Sequence, residues 1–539
     1  MWTKFLVAAA IIAGMMVLLV ASYAYALKPT KATKIAEPAL SKAILPQDDI
    51  HSKEYVLEVI GLGVTLDKYR QGALWEALAH GKPYLSIRDP NPKHYPWTAD
   101  DKMGQSDGRE GDSLENAILD LPRYWGIPAF NAEPRFVGED SEDRPDRPQN
   151  GIVSAAGGMH ILVLAHRELS EQPDRIIEKI FTFFDQNPSV PFVVLGSADS
   201  TYTRTNTVLP RPRITAGYYI PEMPDASAVL VIARRERVDA IRPFVFKDLE
   251  EPQPDVEVLN RDGIARRVWL NYLTLQQRVP TPPERNSYSY HMGRQPTGEE
   301  WLADLEIFAK QFDASQPSTV GAKFTDMMAN KPRLSRHWKP KPWLPVPWNT
   351  EQLKQFDRLP TLGFLHRPVF VKMTDDNGAL LKHAADREAA LLEGWHLALQ
   401  TLPEAEQAIG PARVIVATGK KASQLIEFHG LLRKVADEAG PKFDPDQPTK
   451  FINVDHRLGN TGAATFFMQT AIGILGSYRE GGVSAAFNLR DPGQASIIFV
   501  SPPPEEKRKT QQHPIGGDVF QNATVPVVDP KNYEEPVYR

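Results

Sequence analysis

The segment Gly462 to Gly476, GAATFFMQTAIGILG, constrains the fold more than any other part of the chain. Thr465, Gln469 and Thr470 are its only polar side chains, so as a helix it is apolar nearly all round. Such a helix has no face to give to water and is expected in the centre of a domain. It is preceded by Gly459, Asn460 and Thr461, a turn whose Asn460 or Thr461 side chain can accept from the first free N–H groups of the helix.

A chain of 539 residues is too long for one ordinary core. At roughly 100–200 residues per domain two to four units are expected, and the pattern along the chain favours two. A share of 42% hydrophobic and 24% charged residues suits a globular chain, while 47 prolines imply many loops and turns. The net charge of −5 lacks the concentrated basic footprint that phosphate neutralisation needs, so no nucleic-acid partner is expected. Cysteine is absent, which removes disulfides, thiolate zinc sites, iron–sulfur clusters and cysteine nucleophiles together.

From Phe5 to Leu27 there are 23 residues without a charge. At ~1.5 Å of rise per residue that length crosses the ~30 Å hydrocarbon core of a bilayer. Residues 5–27 therefore read as a transmembrane anchor. The competing reading is a cleaved signal peptide, with Lys4 as its positive start and Ala24-Tyr25-Ala26 as a cleavage site. Lys4 lies on one side and Lys28, Lys31 and Lys34 on the other, so charge alone orients the segment poorly. The expected location is cytoplasmic, tethered to the inner membrane, or periplasmic if the segment is removed.

Residues 28–50, with Pro29, Pro38 and Pro46, read as a linker. An N-terminal α/β domain is expected over residues 51–331. It opens with EYVLEVIGLGV, a buried strand ending at Gly61 and Gly63, and continues into a helix with Leu74 and Leu78 four apart and Gly81 as its stop. Residues 87–151 read as loop, including the acidic run Gly138 to Asn150, either a solvated loop or an electrostatic docking patch. MHILVLAH, PFVVLGS and ASAVLVIA then read as strands, and PDRIIEKIFTFFDQ as a helix with Ile176, Ile177, Ile180, Phe181 and Phe184 on one face. Strands apolar at every position, alternating with helices, argue for a mixed or parallel sheet covered on both faces.

A Pro/Trp-rich connector, residues 332–350, cannot be helical. It leads to a C-terminal α/β domain, residues 351–502, in which PVFVKM, ARVIVATG, KFINV, GVSAAFNL and ASIIFVS alternate with helices. Residues 503–539 read as a flexible tail. Trp301, Trp338 and Trp343 are of the type enriched at interfaces, with core packing the simpler reading for each.

No catalytic, cofactor or metal constellation emerges. Ser197 in LGSADS lacks the second glycine of a nucleophile elbow. With Asp199 and His160 or His166 it forms a triad only if the fold brings them together; a turn satisfying its own backbone is the simpler reading. Gly419 and Lys420 lack the upstream glycine of a phosphate loop, and the 13 histidines lack the i,i+4 pairing of a helical zinc site. His429 and His456 read as surface or loop residues.

The strand, the Gly-Asn-Thr loop and the buried helix are similar to the C-terminal half of thiolase-like condensing enzymes, where a GNTSAAS-type segment supplies an asparagine to a Cys-His-Asn site. VIVATG at Val414 to Gly419 and the closing ASIIFVS stand in the same order, which implies a thiolase-like C-terminal domain. Acyl transfer there needs a thiolate that this chain cannot supply. Gly459, Asn460, Thr461 and Gly462 would then be a degenerate active-site-like loop, either a remnant polar site or a plain helix cap.

Over a longer span, EYVLEVIGLGVTLDKYRQGALWEALAHGKPY, the connector and FINVDHRLGNTGAATFFMQTAIGIL together resemble the type VI lipase adapter family. That resemblance implies a non-enzymatic cytoplasmic adapter that binds a phospholipase toxin, a lipase effector, and loads it onto the VgrG spike protein of a type VI secretion system, without a cofactor. Two other readings stay open: a membrane-anchored α/β serine esterase or acyl-transfer enzyme using Ser197 or another serine with a loop histidine, and a module that binds a small acyl ligand.

Overall fold

The computed structural model describes residues 56–132, 134, 152–154, 160–168, 173–207, 213–246, 264–279, 296–314 and 335–523. The apolar segment 5–27, the linker 28–50, the acidic run 138–150 and residues 524–539 lie outside them. Among the described residues no helix is long and apolar enough to cross a membrane.

The architecture is mixed α/β. The N-terminal half contributes β1 (Val56–Leu66), β2 (Tyr69–Arg70), β3 (Gly126–Ala132), β4 (Ile152–Ser154), β5 (Ile161–Glu168), β6 (Phe192–Asp199) and β7 (Ala226–Ala233). The C-terminal half contributes β8 (Gly363–His366), β9 (Val369–Lys372), β10 (Arg413–Ala417), β11 (Phe451–Asn453), β12 (Ser484–Asn488) and β13 (Gln494–Ser501). Among the described residues all 13 join in one sheet, 11 of them along the path β11-β10-β12-β13-β8-β1-β7-β6-β3-β5-β4, with β2 paired to β1 and β9 to β13 off it.

The two halves repeat one topology. Numbering the principal strands of each half in chain order, β5-β3-β6-β7-β1 and β11-β10-β12-β13-β8 both read 3-2-4-5-1. In each, strands 3, 2 and 4 are parallel and strand 5 is antiparallel to both its neighbours. The two first strands, β1 and β8, pair antiparallel from Val56↔His366 to Val59↔Gly363, which relates the halves by an approximate two-fold.

The helices that cover this sheet and position its central loop are α1 (Gly72–His80), α2 (Ala99–Ile118), α3 (Arg175–Gln186), α4 (Thr201–Thr207), α5 (Ala384–Leu399), α6 (Ala422–Asp437) and α7 (Thr465–Glu480). The apolar helix α7 is where its composition puts it: every residue from Thr465 to Tyr478 is buried. It packs on β10, β12, β13 and β8 of its own half and on β7 and β1 of the other. Its buried amide and hydroxyl donors are satisfied internally, while Gln469 Oε1 has no hydrogen-bond partner among the described residues. Gln469 Nε2 donates to the carbonyls of Ile415 and Phe487 at 3.0 and 2.8 Å, and Thr470 Oγ1 to that of Phe466 at 3.0 Å. Strand alternation sorts the C-terminal core into two faces. Ile415, Ala417, Ala486, Ile498 and Val500 belong to the core that contains α7. Val414, Val416, Phe487, Ile497 and Phe499 pack with Leu391 and Trp395 of α5 and Phe428 and Leu431 of α6.

The structure departs from the sequence expectations in four places. First, β1 does not end at Gly61 and Gly63 but runs through them. A Cβ at Gly61 would lie 2.6 Å from the Ala117 carbonyl oxygen, and one at Gly63 1.6 Å from that of Ser113. These glycines let α2 lie directly on the strand.

Second, the span expected as loop contains the 20-residue α2 and the strand β3. α2 has no hydrophobic stripe; its buried positions include Lys102, Ser106, Gly108, Arg109, Asp112 and Ser113. It starts on Thr98, which accepts from Asp101 N–H, with Asp100 and Asp101 in the positive first turn. Third, β8 precedes the expected first strand of the C-terminal half.

Fourth, the tail is placed as far as Ala523. Phe520 is buried, its ring 5.1 Å from that of Tyr478, and its carbonyl accepts from Gly72 N–H at 3.3 Å. In the connector, Trp343 and Trp348 are buried, and Trp338 Nε1 donates to the Pro345 carbonyl at 3.1 Å. Trp301 is fully buried, stacked on Trp125 at 4.2 Å. Core packing thus accounts for Trp301 and Trp343.

Candidate functional site

The Gly-Asn-Thr loop sits where the two halves meet. Gly459 and Gly462 both take left-handed backbone, with φ of +89° and +54°. Asn460 Oδ1 accepts from Gly462 N–H at 3.1 Å, so the asparagine folds back on its own turn. Thr461 Oγ1 donates to Thr465 Oγ1 at 2.9 Å, and Thr465 Oγ1 donates to the Gly462 carbonyl at 2.7 Å.

The positive end of α7 is met from the other half of the molecule. Ala463 N–H donates to Asp199 Oδ2 at 2.7 Å, from the last residue of β6. Arg204 of α4 grips the same carboxylate, Nη2 to Oδ2 at 2.7 Å, and Arg490 Nη1 donates to the Gly462 carbonyl. Asp199 is fully buried. Burial raises its carboxyl above the ordinary range, with Arg204 opposing. Gly462 is required twice over, by its φ and by space, because a Cβ there would fall 1.7 Å from Asp199 Oδ2.

The approximate two-fold repeats this arrangement. Asn488, the last residue of β12, donates from Nδ2 to Asp174 Oδ2 at 3.3 Å, and Asp174 is the N-cap of α3. The fourth strand of each half thus ends on a side chain that meets the N-terminus of a helix in the other half.

Around the Asp199 contact lies a shell of buried ion pairs. Arg70 Nε meets Asp112 Oδ2 at 2.8 Å and Arg88 Nε meets Asp67 Oδ2 at 2.8 Å. Arg109 pairs with Asp225, whose Oδ1 also accepts from Ser106 Oγ at 3.0 Å and from Thr201 N–H at 2.9 Å. Asp225 N–H donates to Asp67 Oδ1 at 3.0 Å, which closes the network, and Arg88 Nη1 donates to the Pro221 carbonyl at 2.9 Å. Burial raises the Asp67 carboxyl, with the Arg88 charge pulling it back. At the rim, burial of Asp89 is outweighed by hydrogen bonds from His94, Asn91 and Lys68, which hold its carboxyl down at about 2.

None of these residues except Asp199 was singled out in the sequence. Asp199 drew attention as a partner of Ser197, and the structure does not assemble that triad. Ile161 is level with Gly126 across β3 and β5, whereas Ser197 is level with Ala132. His160 and Ser197 therefore lie at opposite ends of parallel strands, about 23 Å apart along them at ~3.3 Å per residue. Burial pushes His160 down to about 3. His166 is two strands from β6, with its Nε2 3.6 Å from Glu168. The loop Thr418-Gly419-Lys420 is tied to the C-terminal half instead, Thr418 N–H donating to Asp455 Oδ2 at 2.7 Å.

Residues 55–216 match the family described as type VI lipase adapter protein Tla3, N-terminal, and residues 362–502 match its C-terminal counterpart. The chain belongs to the type VI lipase adapter family. This bears out the resemblance seen in the sequence, and the Asp199–Ala463 hydrogen bond joins the two matched regions of this adapter-family chain.

Among solved structures, the chain is similar to the oxazolomycin ketosynthase domain OzmH KS8 of Streptomyces albus at 9% identity, covering 84% of this chain and 96% of that one with a TM-score of 0.38. It is also similar to the ketosynthase of module 1 of the bacillaene synthase of Bacillus amyloliquefaciens at 9% identity, covering 84% and 77%, TM-score 0.36. No residue role passes to the adapter from a likeness of this size.

Proposed function

We propose that this chain is a non-enzymatic adapter that binds a lipase effector and loads it onto the VgrG spike protein of a type VI secretion system. The observation that carries the reading is the match of both halves to the adapter family. The geometry of the Gly-Asn-Thr loop supports it. In the turn that leads into α7 the Ala463 N–H is not open to a substrate, because it is taken by Asp199 of the same chain. Asn460 turns its oxygen to its own loop, and a chain without cysteine has no thiolate to offer. What remains is a rigid platform for protein recognition, since a fold can keep its scaffold when its chemistry is gone.

The test is co-purification of the full-length chain with a candidate lipase and a spike protein, each tagged in turn. Retention of both in one complex is expected; loss of either partner at micromolar protein removes the loading role. In the same reading the body lies on the cytoplasmic side of the inner membrane, tethered through residues 5–27. A reporter enzyme active only in the periplasm, fused after residue 50, should then be silent. Activity of that fusion counts against cytoplasmic loading.

A further inference from the structure

At the far end of α7 from the Gly-Asn-Thr loop, Ser477 Oγ donates to the Val500 carbonyl at 2.9 Å. Beside it, side chains from three elements form one chain of short hydrogen bonds. His366, the last residue of β8, and Ser501, the last of β13, are both buried. His366 Nδ1 lies 2.8 Å from the Thr401 carbonyl oxygen and Nε2 lies 2.7 Å from Ser501 Oγ, which is 2.6 Å from Glu406 Oε2. Glu406 is half-buried and belongs to the helix Glu404–Ile409, none of whose residues is fully buried. Among the described residues the Ser501 contact is the side-chain hydrogen bond that ties this helix to the sheet; Gln407 Nε2 bonds only to the nearby Leu402 carbonyl.

The hydrogens of this chain can be counted. A carbonyl oxygen only accepts, so Nδ1 carries a hydrogen. The two contacts at Ser501 Oγ then need two hydrogens, and the hydroxyl has one. If the hydroxyl donates to Nε2, Glu406 must be the acid and donate to Oγ. If it donates to a Glu406 carboxylate, Nε2 must carry a hydrogen as well, and the ring is an imidazolium. Either way the count closes only with one proton more than a neutral histidine and an ionised glutamate possess.

We infer that His366, Ser501 and Glu406 hold one shared proton in the closed structure, and that its loss unfastens the helix Glu404–Ile409 from the ends of β8 and β13. Without that proton the hydroxyl serves Nε2 or the carboxylate, not both. His366 is shut in between strands, so Glu406 is the partner that turns to water. Burial pushes His366 down to about 4 and raises the Glu406 carboxyl against the Ser501 hydrogen bond, which puts the shared proton on the carboxyl. The charged groups on the neighbouring elements are engaged elsewhere: Arg367 with Glu178, Glu58 of β1 with Arg235 and Thr361, His396 of α5 with Glu438, Glu505 with Lys509, and Lys507 with Thr361. Glu404 is exposed. Once the helix lifts, Glu406 titrates near its ordinary value of 4.5, while His366 stays buried and neutral. Above that value the open state has lost the proton that the closed state keeps. Opening therefore grows with pH, by up to about ten-fold per unit, until the closed state loses its proton too. The fastening is independent of the adapter reading.

Amide hydrogen exchange on the full chain, corrected for intrinsic rates, tests it. The amides to follow are those of Glu406, Gln407 and Gly410, which bond to the carbonyls of Pro403, Pro403 and Glu406. Between pH 5.5 and 7.5 their opening constant should rise about ten-fold or more, with β13 amides changing far less. Glu406→Gln supplies an amide N–H to Ser501 Oγ and leaves the hydroxyl for Nε2, so opening should stay low and flat with pH. Glu404→Gln should keep the native rise. The same rise in Glu406→Gln, or no rise in the native chain between pH 5 and 8, overturns the inference. If Glu406→Gln does not fold, Ser501→Ala decides: opening should be raised already at pH 5.5 and should not change with pH, and a rise that persists contradicts the shared proton.

Discussion

Gly462 carries the tightest constraint in the molecule. Its backbone is left-handed and its Cα faces the Asp199 carboxylate with no room for a methyl group. Gly462→Ala should cost about 2–4 kcal/mol in urea unfolding, combining strained backbone with a displaced buried carboxylate. Asp199→Ala leaves Arg204 and the Ala463 N–H without their shared acceptor, and should cost about 1–3 kcal/mol. Asp199→Asn keeps an oxygen there and should cost less. Asp89 provides the pH signature of the rim. Its folded value of about 2 lies below the ordinary one, so its stabilisation is present above pH 4 and is lost as pH falls toward 2. Asp89→Asn should destabilise the chain by about 1–2 kcal/mol at pH 7, a difference that shrinks across that acid window in urea titrations.

At the scale of elements, α7 and α2 show what can and cannot be read from a sequence. α7 was legible because an all-round apolar helix has only one place to go. α2 packs against β1 and β7 yet was invisible, because its buried positions hold Lys102, Ser106, Arg109, Asp112 and Ser113. Those side chains are satisfied by residues distant in the chain, such as Asp225 and Arg70, and by carbonyls such as that of Thr215. Periodicity of apolar residues cannot report such a face. The signal present was the glycines: Gly61 and Gly63 in a buried strand mark close approach of another backbone, here Ala117 and Ser113. Gly63→Ala should therefore push α2 off β1. The expected cost is about 3 kcal/mol or more by chemical denaturation, and an unaffected midpoint would mean that the strand and helix are not in register as described. The Gly-Asn-Thr loop was likewise legible as a turn that starts a helix. Its partner Asp199 was not, because that contact depends on how the halves pair.

On the scale of the molecule, one sheet unites two copies of a topology through β1 and β8, and each half reaches a side chain to the end of a helix in the other. Reciprocal contacts of this kind make the halves mutually dependent. The Asp199→Ala change should accordingly raise protease sensitivity in both halves together, and cleavage confined to one half would argue for independent units. They also fix the relative position of the surfaces that an adapter presents, which favours binding by a preorganised platform. The most direct measurement of the central claim is native mass spectrometry of the full-length chain mixed with its lipase effector and an acyl thioester. The account predicts a complex whose mass is the sum of the two proteins, with no acyl increment on this chain and no turnover of the thioester. An acylated chain, or no complex at all, would contradict it.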